Sequence, residues 1–301
     1  MIPMIIEKKG HYKQKCYVYI KSDCKLRGRI FNFMKSMFTV IKEQIQSFYL
    51  ICRLSMFQIK SNNNDNYLGL AWEFINPMIQ IFIYWIIFGI GIRGGQDING
   101  VPFFLWMLSG ISLWFFANPA ILEGTKSIRS RIAMVSKMSF PMSTIPTYVI
   151  FANLYQHLLI LAAIIVILNF QGYTVSFYYL QLPYYLFSAI VFFLALTLIT
   201  STLSMIINDV QKLTQAIMRM VFYVTPLIWY SPSLPGPLMT LIKVNPLTYL
   251  VEGYRASLLG GSWYFIDNIE YTLYFWGLTL ILLMIGSSLH LRFRDHFVDY
   301  L

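Results

Sequence analysis

The chain has 301 residues, of which 57% are hydrophobic, 17% aromatic and only 12% charged, about half the charged share of a soluble domain. Its formal net charge of +10 would suit a nucleic-acid binder, but the charges crowd into short clusters between long uncharged stretches. That distribution excludes a nucleic-acid partner and points to a protein embedded in lipid.

A bilayer core of about 30 Å takes roughly 20 apolar residues at 1.5 Å rise each. Five stretches free of Asp, Glu, Lys and Arg are long enough: 74–92, 98–122, 138–208, 220–242 and 271–291. The third holds two crossings, broken near Asn169–Tyr173, so six transmembrane helices are expected in an all-α integral membrane fold. If both termini are cytoplasmic, twenty Lys and Arg fall inside, and Arg93, Lys243 and Arg255 fall outside. Twenty against three orients the chain with both ends in.

Residues 1–33 carry eight of the basic residues and no periodicity. They read as a disordered tail, or as sequence upstream of a start at Met34, and they lack the apolar stretch of a signal peptide. Cys16, Cys24 and Cys52 all fall on the cytoplasmic side, where thiols stay reduced. The spacing of Cys16 and Cys24 with His11 matches no usual zinc pattern, so no metal is expected. Residues 34–71 form a cytoplasmic interfacial region. In it Ile41, Ile45, Phe48, Cys52, Met56 and Ile59 recur at three- and four-residue steps among charged residues, which predicts a helix lying in the membrane interface.

The six-span domain occupies 72–301. Trp72 and Glu73 mark where the chain enters the bilayer, Asn76-Pro77 sits in the first turns of span one, and this span leaves near Gly89–Arg93. Span two, 103–122, contains an Asn118-Pro119 pair expected to bend it, and returns inside at Glu123. The loop 124–138 alternates basic and apolar residues at spacings a short surface helix would use. Two readings stay open for it: an ordinary basic inner loop, or a docking helix for a cytoplasmic partner, for which exposed Ile128, Ile132, Met134 and Val135 would supply contact area. Spans three and four cover 144–168 and 184–207. Span five starts near Ala216 and reaches Trp229 and Tyr230. From Ser231 to Trp263 four prolines and three charges forbid a straight crossing, yet 238–244 and 247–259 are apolar. Two short re-entrant helices in the outer leaflet, shielded by protein, satisfy both facts. Span six is 271–291.

No Gly is followed by Lys, so a phosphate-binding GxxxxGK[ST] loop is absent. If ATP drives the protein, another chain binds it. No Asp-x-Asp occurs and no charge interrupts a span interior, which leaves a proton relay or a membrane-embedded sugar transferase without its carboxylates. His157, alone among histidines deep in a span, reads as a helix-packing hydrogen bonder. The 24 Phe, 21 Tyr and 7 Trp exceed what interface belts require, and Tyr84, Phe115, Phe116 and Tyr223 suit both packing and a lumen over which sugar rings slide. Glu252 and Arg255 lie one turn apart. Exposed, the pair is worth a few tenths of a kcal/mol; in a partly dehydrated outer mouth it matters more.

The stretch Asn66–Pro77, the basic loop after span two and Asn245-Pro246-Leu247-Thr248-Tyr249-Leu250-Val251-Glu252-Gly253-Tyr254-Arg255 resemble ABC-2 type permeases that export polysaccharides. Within that family, Phe88–Gly95 and Val135–Pro141 look most like permeases of wall teichoic acid export in Gram-positive bacteria. The resemblance covers residue 34 to the end. It implies a non-catalytic subunit of a plasma-membrane exporter. Two copies of it would sit on two cytoplasmic ATPase subunits, which bind the ATP and Mg, and move a polyprenyl-diphosphate-linked polymer outward. By the same resemblance, 124–138 is the coupling helix with Arg129, Arg131, Ile132 and Met134 at the ATPase, and 238–259 with Glu252 and Arg255 is the outer gate. Lys60, Arg129 and Arg131 are candidates for first contact with the diphosphate. Permeases of the same fold for O-antigen, capsule or lipophilic compounds share nearly every one of these features.

Overall fold

The computed structural model describes residues 33–63, 67, 69–92, 94–135, 140–229, 235–295 and 297; for 62, 63, 70 and 132–135 only the backbone is described. The expected basic tail, with His11, Cys16 and Cys24, lies outside the described residues except for residue 33. Among the described residues every regular element is helical, save one isolated antiparallel bridge between Ile98 and Val101. In chain order the helices are α1 (33–46), α2 (Phe48–Asn63), α3 (Trp72–Tyr84, continuing as π-helix through Ile92), α4 (Phe103–Val135), α5 (Thr144–Phe170), α6 (Leu182–Ile206, preceded by a 3-10 turn at Phe177–Gln181), α7 (Val210–Val224), α8 (Gly236–Val244), α9 (Pro246–Leu259), α10 (Tyr264–Asp267) and α11 (Ile269–Phe293).

Five helical stretches are long and apolar enough to cross a membrane: Trp72–Ile92, Phe103–Arg131, Thr144–Phe170, Phe177–Ile206 and Ile269–Phe293. They match expected spans one, two, three, four and six. α4 runs between α5 and α6, α6 also packs on α11, and α2 lies along α5. Phe116, Phe193, Tyr185 and Phe275 are fully buried between them. Some hydroxyls inside this bundle are absorbed by their own helix: Thr125, Thr197 and Thr279 each bond the carbonyl four residues back, which suits a dry environment. The first span stands apart. Only 11% of its most apolar stretch is buried, against 72% for that of α4, so α3 packs loosely against the rest.

Two features depart from the sequence reading. Span two does not end in a loop at Glu123: α4 continues unbroken through Pro119 to Val135, 33 residues, or about 50 Å. A charged residue past the bilayer edge does not interrupt a helix; it only moves the helix into water. Ile128, expected to be exposed, is consequently buried at 0% exposure, among Ile51, Ile145, Tyr148, Val149, Met205 and Phe297. Next, α7 has only 15 residues, about 22 Å, and stops short of the expected span five. The residue before a proline is pushed out of the helical region, and Thr225 before Pro226 is extended (φ −74°, ψ 133°). In the interfacial region, which folds as α1 and α2 with a turn at Ser47, Ile45, Phe48 and Met56 are exposed, whereas Val40, Ile51, Ser55 and Gln58 face the protein. In lipid an apolar residue needs no protein partner, and small and polar residues make the helix contacts.

The two short helices expected before the last span are α8 and α9. Pro246 at the first turn and the Asn245 side chain, which accepts from the Leu247 N–H at 3.1 Å, start α9. α9 packs on α4, α6 and the 3-10 turn, with Tyr249, Leu250 and Tyr254 fully buried.

Candidate functional site

The end of the bundle that carries Arg129 is built from helix ends held to one another. Arg129 donates to Asn208 Oδ1 and to the Ser204 carbonyl, tying α4 to the end of α6. The Arg131 guanidinium lies 5.4 Å from the centre of the Tyr148 ring on α5 and donates to Ser130 Oγ at 3.2 Å. Glu43 on α1 accepts from Arg294 Nη1 at 2.9 Å and from the Ser143 hydroxyl, and Gln44 Nε2 donates to the Ser143 carbonyl at 3.0 Å. α1, the turn before α5 and the end of α11 are therefore tied to one another. Ile132 and Met134 follow on the last turn of α4, where only the backbone is described.

Towards the middle of the bundle, Asn153 Nδ2 donates to Glu123 Oε2 at 3.3 Å. One turn further along α5, His157 Nε2 lies 3.1 Å from Tyr254 Oη on α9, and its ring stacks on Phe116 at 5.1 Å. His157 is thus a packing hydrogen bonder, as its lone position suggested.

At the opposite end Arg255 is 4% exposed and sits in a knot of three segments. Its Nη1 meets Glu252 Oε1 at 2.6 Å, and its Nη2 donates to the carbonyls of Pro226 and of Leu227. Nε points to the Trp106 carbonyl at 3.4 Å, and the guanidinium carbon lies 3.5 Å from the centre of the Trp106 ring, close enough for a cation–π contact. Only glycine at 110 leaves room: a Cβ there would meet Arg255 Nη2 at 2.5 Å. The pair foreseen at the outer mouth is therefore formed but unequal, because Glu252 keeps 33% of its side chain exposed. Beside it, Tyr184, Tyr249 and Thr272 link hydroxyls at 3.0 Å each. Trp276 Nε1 donates to Tyr184 Oη at 2.9 Å, clamping α9 to α6 and α11. Sequence reasoning missed this tyrosine lattice, whose signal was the density of Tyr between 178 and 274.

The four aromatic candidates separate. Phe116 is fully buried. Tyr84 lies 5.6 Å from Phe222 on α7, with Trp114 of α4 5.1 Å from the same ring; these contacts bridge α3, α4 and α7. Tyr223 is 67% exposed on α7. Phe115 lines a polar cavity of about 300 Å³ between α3, α4 and α5. Lys60 is exposed at the end of α2, next to Ile59 on the wall of that cavity.

Three curated relatives align over most of the chain. The O-antigen export system permease protein RfbA of Myxococcus xanthus is 23% identical over 265 residues, 87% of this chain and 99% of that protein. Two proteins of the same name from Klebsiella pneumoniae are each 26% identical, one over 84% and the other over 82% of this chain and both over 95% of their own length. The model of the ABC-2 type transporter family matches residues 49–259, from α2 through α9. The chain therefore belongs to the ABC-2 type transporter family, as the membrane-spanning, non-catalytic permease subunit of an exporter whose ATPase is a separate chain.

Proposed function

We propose that two copies of this chain, seated on two cytoplasmic ATPase subunits that bind ATP and Mg, export a polyprenyl-diphosphate-linked polysaccharide across the plasma membrane. In this reading both termini are cytoplasmic and the chain crosses six times. The fifth crossing is α7 followed by the non-helical stretch to Trp229, a path that starts beside the end of α6 and passes Arg255 at Pro226 and Leu227. A diphosphate in hydrocarbon is very costly, so the polymer's carrier needs a protein-lined route.

The observation that carries the reading is the length of α4. Its 33 residues outrun a bilayer core of about 30 Å by roughly 20 Å, and its Arg129 end is anchored to α5 and α6. A lever so held transmits a push from outside the membrane. In this reading Arg129, Arg131, Ile132 and Met134 receive it from the ATPase. Lys60, Tyr84, Phe115 and Tyr223 are the candidates along the route. The Glu252–Arg255 knot is the outer gate.

Two polymer classes divide the substrate reading. The printed names of the relatives favour an O-antigen-type glycan, and the local likeness at 88–95 and 135–141 favours wall teichoic acid. Co-purification with an ATPase subunit, followed by ATP hydrolysis in proteoliposomes holding one or the other lipid-linked polymer, tests both levels. An ATPase whose turnover ignores this chain would overturn the proposal. Stimulation by one polymer alone would choose between them.

A further inference from the structure

We infer that the crevice between α2, α3, α4 and α5 binds a membrane lipid whose headgroup carries a primary ammonium, independently of the polymer exported. The polar cavity of about 300 Å³ at this place is walled by Gln58, Glu73, Asn76, Asn118, Glu123 and Asn153, and among the described residues no Lys or Arg lines it. Its two carboxylates have acceptor oxygens only. The partner found for Glu123 is a neutral amide, Asn153 Nδ2 at 3.3 Å. Gln58 is 8% exposed, yet its carboxamide oxygen has no hydrogen-bond partner among the described residues, although a buried acceptor is costly to leave unpaired. An unfilled acceptor in the same pocket as the amide-bonded Glu123 carboxylate asks for a cation with N–H donors. The same lining repels a diphosphate, so the headgroup of the exported carrier does not settle in this pocket even though the route candidate Phe115 lines it.

An apolar cavity of about 380 Å³ adjoins it, walled by Met56, Phe74, Leu158 and Leu159 and sharing Glu73 and Gln156 with the polar one. Met56, Leu158 and Leu159 are 40% exposed or more, so this second cavity opens outward from α2 and α5. A polar cation-seeking pocket joined to an open apolar groove suits an amphiphile rather than a free ion. The ammonium enters among Gln58, Glu73 and Glu123, the acyl chains follow Leu158 and Leu159, and Lys60, exposed next to Ile59, meets the lipid phosphate. A primary ammonium brings three donors and a quaternary one brings none, which favours phosphatidylethanolamine over phosphatidylcholine.

The test uses the purified complex of this chain with its ATPase, in nanodiscs of equal phosphatidylethanolamine, phosphatidylcholine and phosphatidylglycerol, with retained lipid read by native mass spectrometry. Phosphatidylethanolamine is expected to be retained about tenfold over phosphatidylcholine, the worth of one charge-assisted hydrogen bond, with retention falling stepwise as the amine is methylated. The methylation series needs no variant. The E73Q and E123Q double variant is expected to lose the preference, and Leu159→Trp is expected to lose the lipid by filling the groove. Phosphoethanolamine without chains is expected not to compete; full competition would assign the pocket to a soluble amine and overturn the lipid. Equal retention across the methylation series, or a preference for phosphatidylglycerol, would overturn the ammonium.

Discussion

Arg255 is expected to hold the outer end of the protein together far more than its ion-pair partner does. Replacing it with alanine removes the positive partner of the Glu252 carboxylate, the donors to the Pro226, Leu227 and Trp106 carbonyls, and the cation over the Trp106 ring. Leu227 is fully buried, so its carbonyl finds no water in exchange. At about 1 kcal/mol for each buried carbonyl left unpaired and about 2 kcal/mol for a desolvated cation–π contact, Arg255→Ala should cost roughly 4–5 kcal/mol. Glu252→Ala leaves the guanidinium its other acceptors, and Glu252 is 33% exposed already, so its loss should cost only about 1–2 kcal/mol. Arg255→Lys should fall between, because one ammonium cannot serve a ring and several carbonyls at once.

The assay is the apparent melting temperature of the purified permease–ATPase complex, read by loss of the monodisperse peak after heating. The expected order of stability is wild type, Glu252→Ala, Arg255→Lys, Arg255→Ala. Equal losses for the two alanine variants would mean that the pair alone matters and that the three-segment knot contributes nothing. Export per assembled complex separates the gate from the scaffold: Glu252→Ala is expected to lose export beyond its small loss of stability, and near-normal export would place the pair outside the gate.

Ile128→Asp puts a charge into a fully buried cluster and is expected to cost several kcal/mol, seen as loss of folded protein in the membrane; Met134→Asp is expected instead to leave the permease folded while ATPase no longer co-purifies. Gly253→Ala would set a Cβ 2.2 Å from the fully buried Tyr185 ring, and about 1–3 kcal/mol of overpacking should lower the melting temperature. Cysteines introduced at 97 and 173 should react with an impermeant reagent on intact cells and one at 130 should not; labelling at 130 would invert the orientation.

Charge spacing made the five long spans legible, because a bilayer imposes length and excludes charge at once. Prolines and charges between 231 and 263 likewise made α8 and α9 legible, since a proline next to an Asn marks a helix start. The end of α7 was written in Thr225-Pro226, but an apolar window of 20 residues averages over a proline that backbone sterics do not ignore. Arg255 carried its own signal: one basic residue in an apolar stretch has to find several acceptors, and only the fold brings Trp106, Pro226 and Leu227 to it.

The interfacial helix shows why the remaining features stayed hidden. Periodicity identifies the most apolar stripe of a helix, and in water that stripe marks the protein contact. Here the stripe with Ile45, Phe48 and Met56 is exposed, and the contact face carries Ser55 and Gln58 beside Val40 and Ile51. Lipid rewards apolar surface without asking protein to cover it, so polar and small residues become the markers of helix contact. The same inversion applies along α3, α4 and α5, where Asn76, Asn118 and Asn153 converge on one cavity. In a membrane chain the scarce amides and carboxylates within the spans, more than the abundant aromatics, show where helices meet and where a polar guest is held.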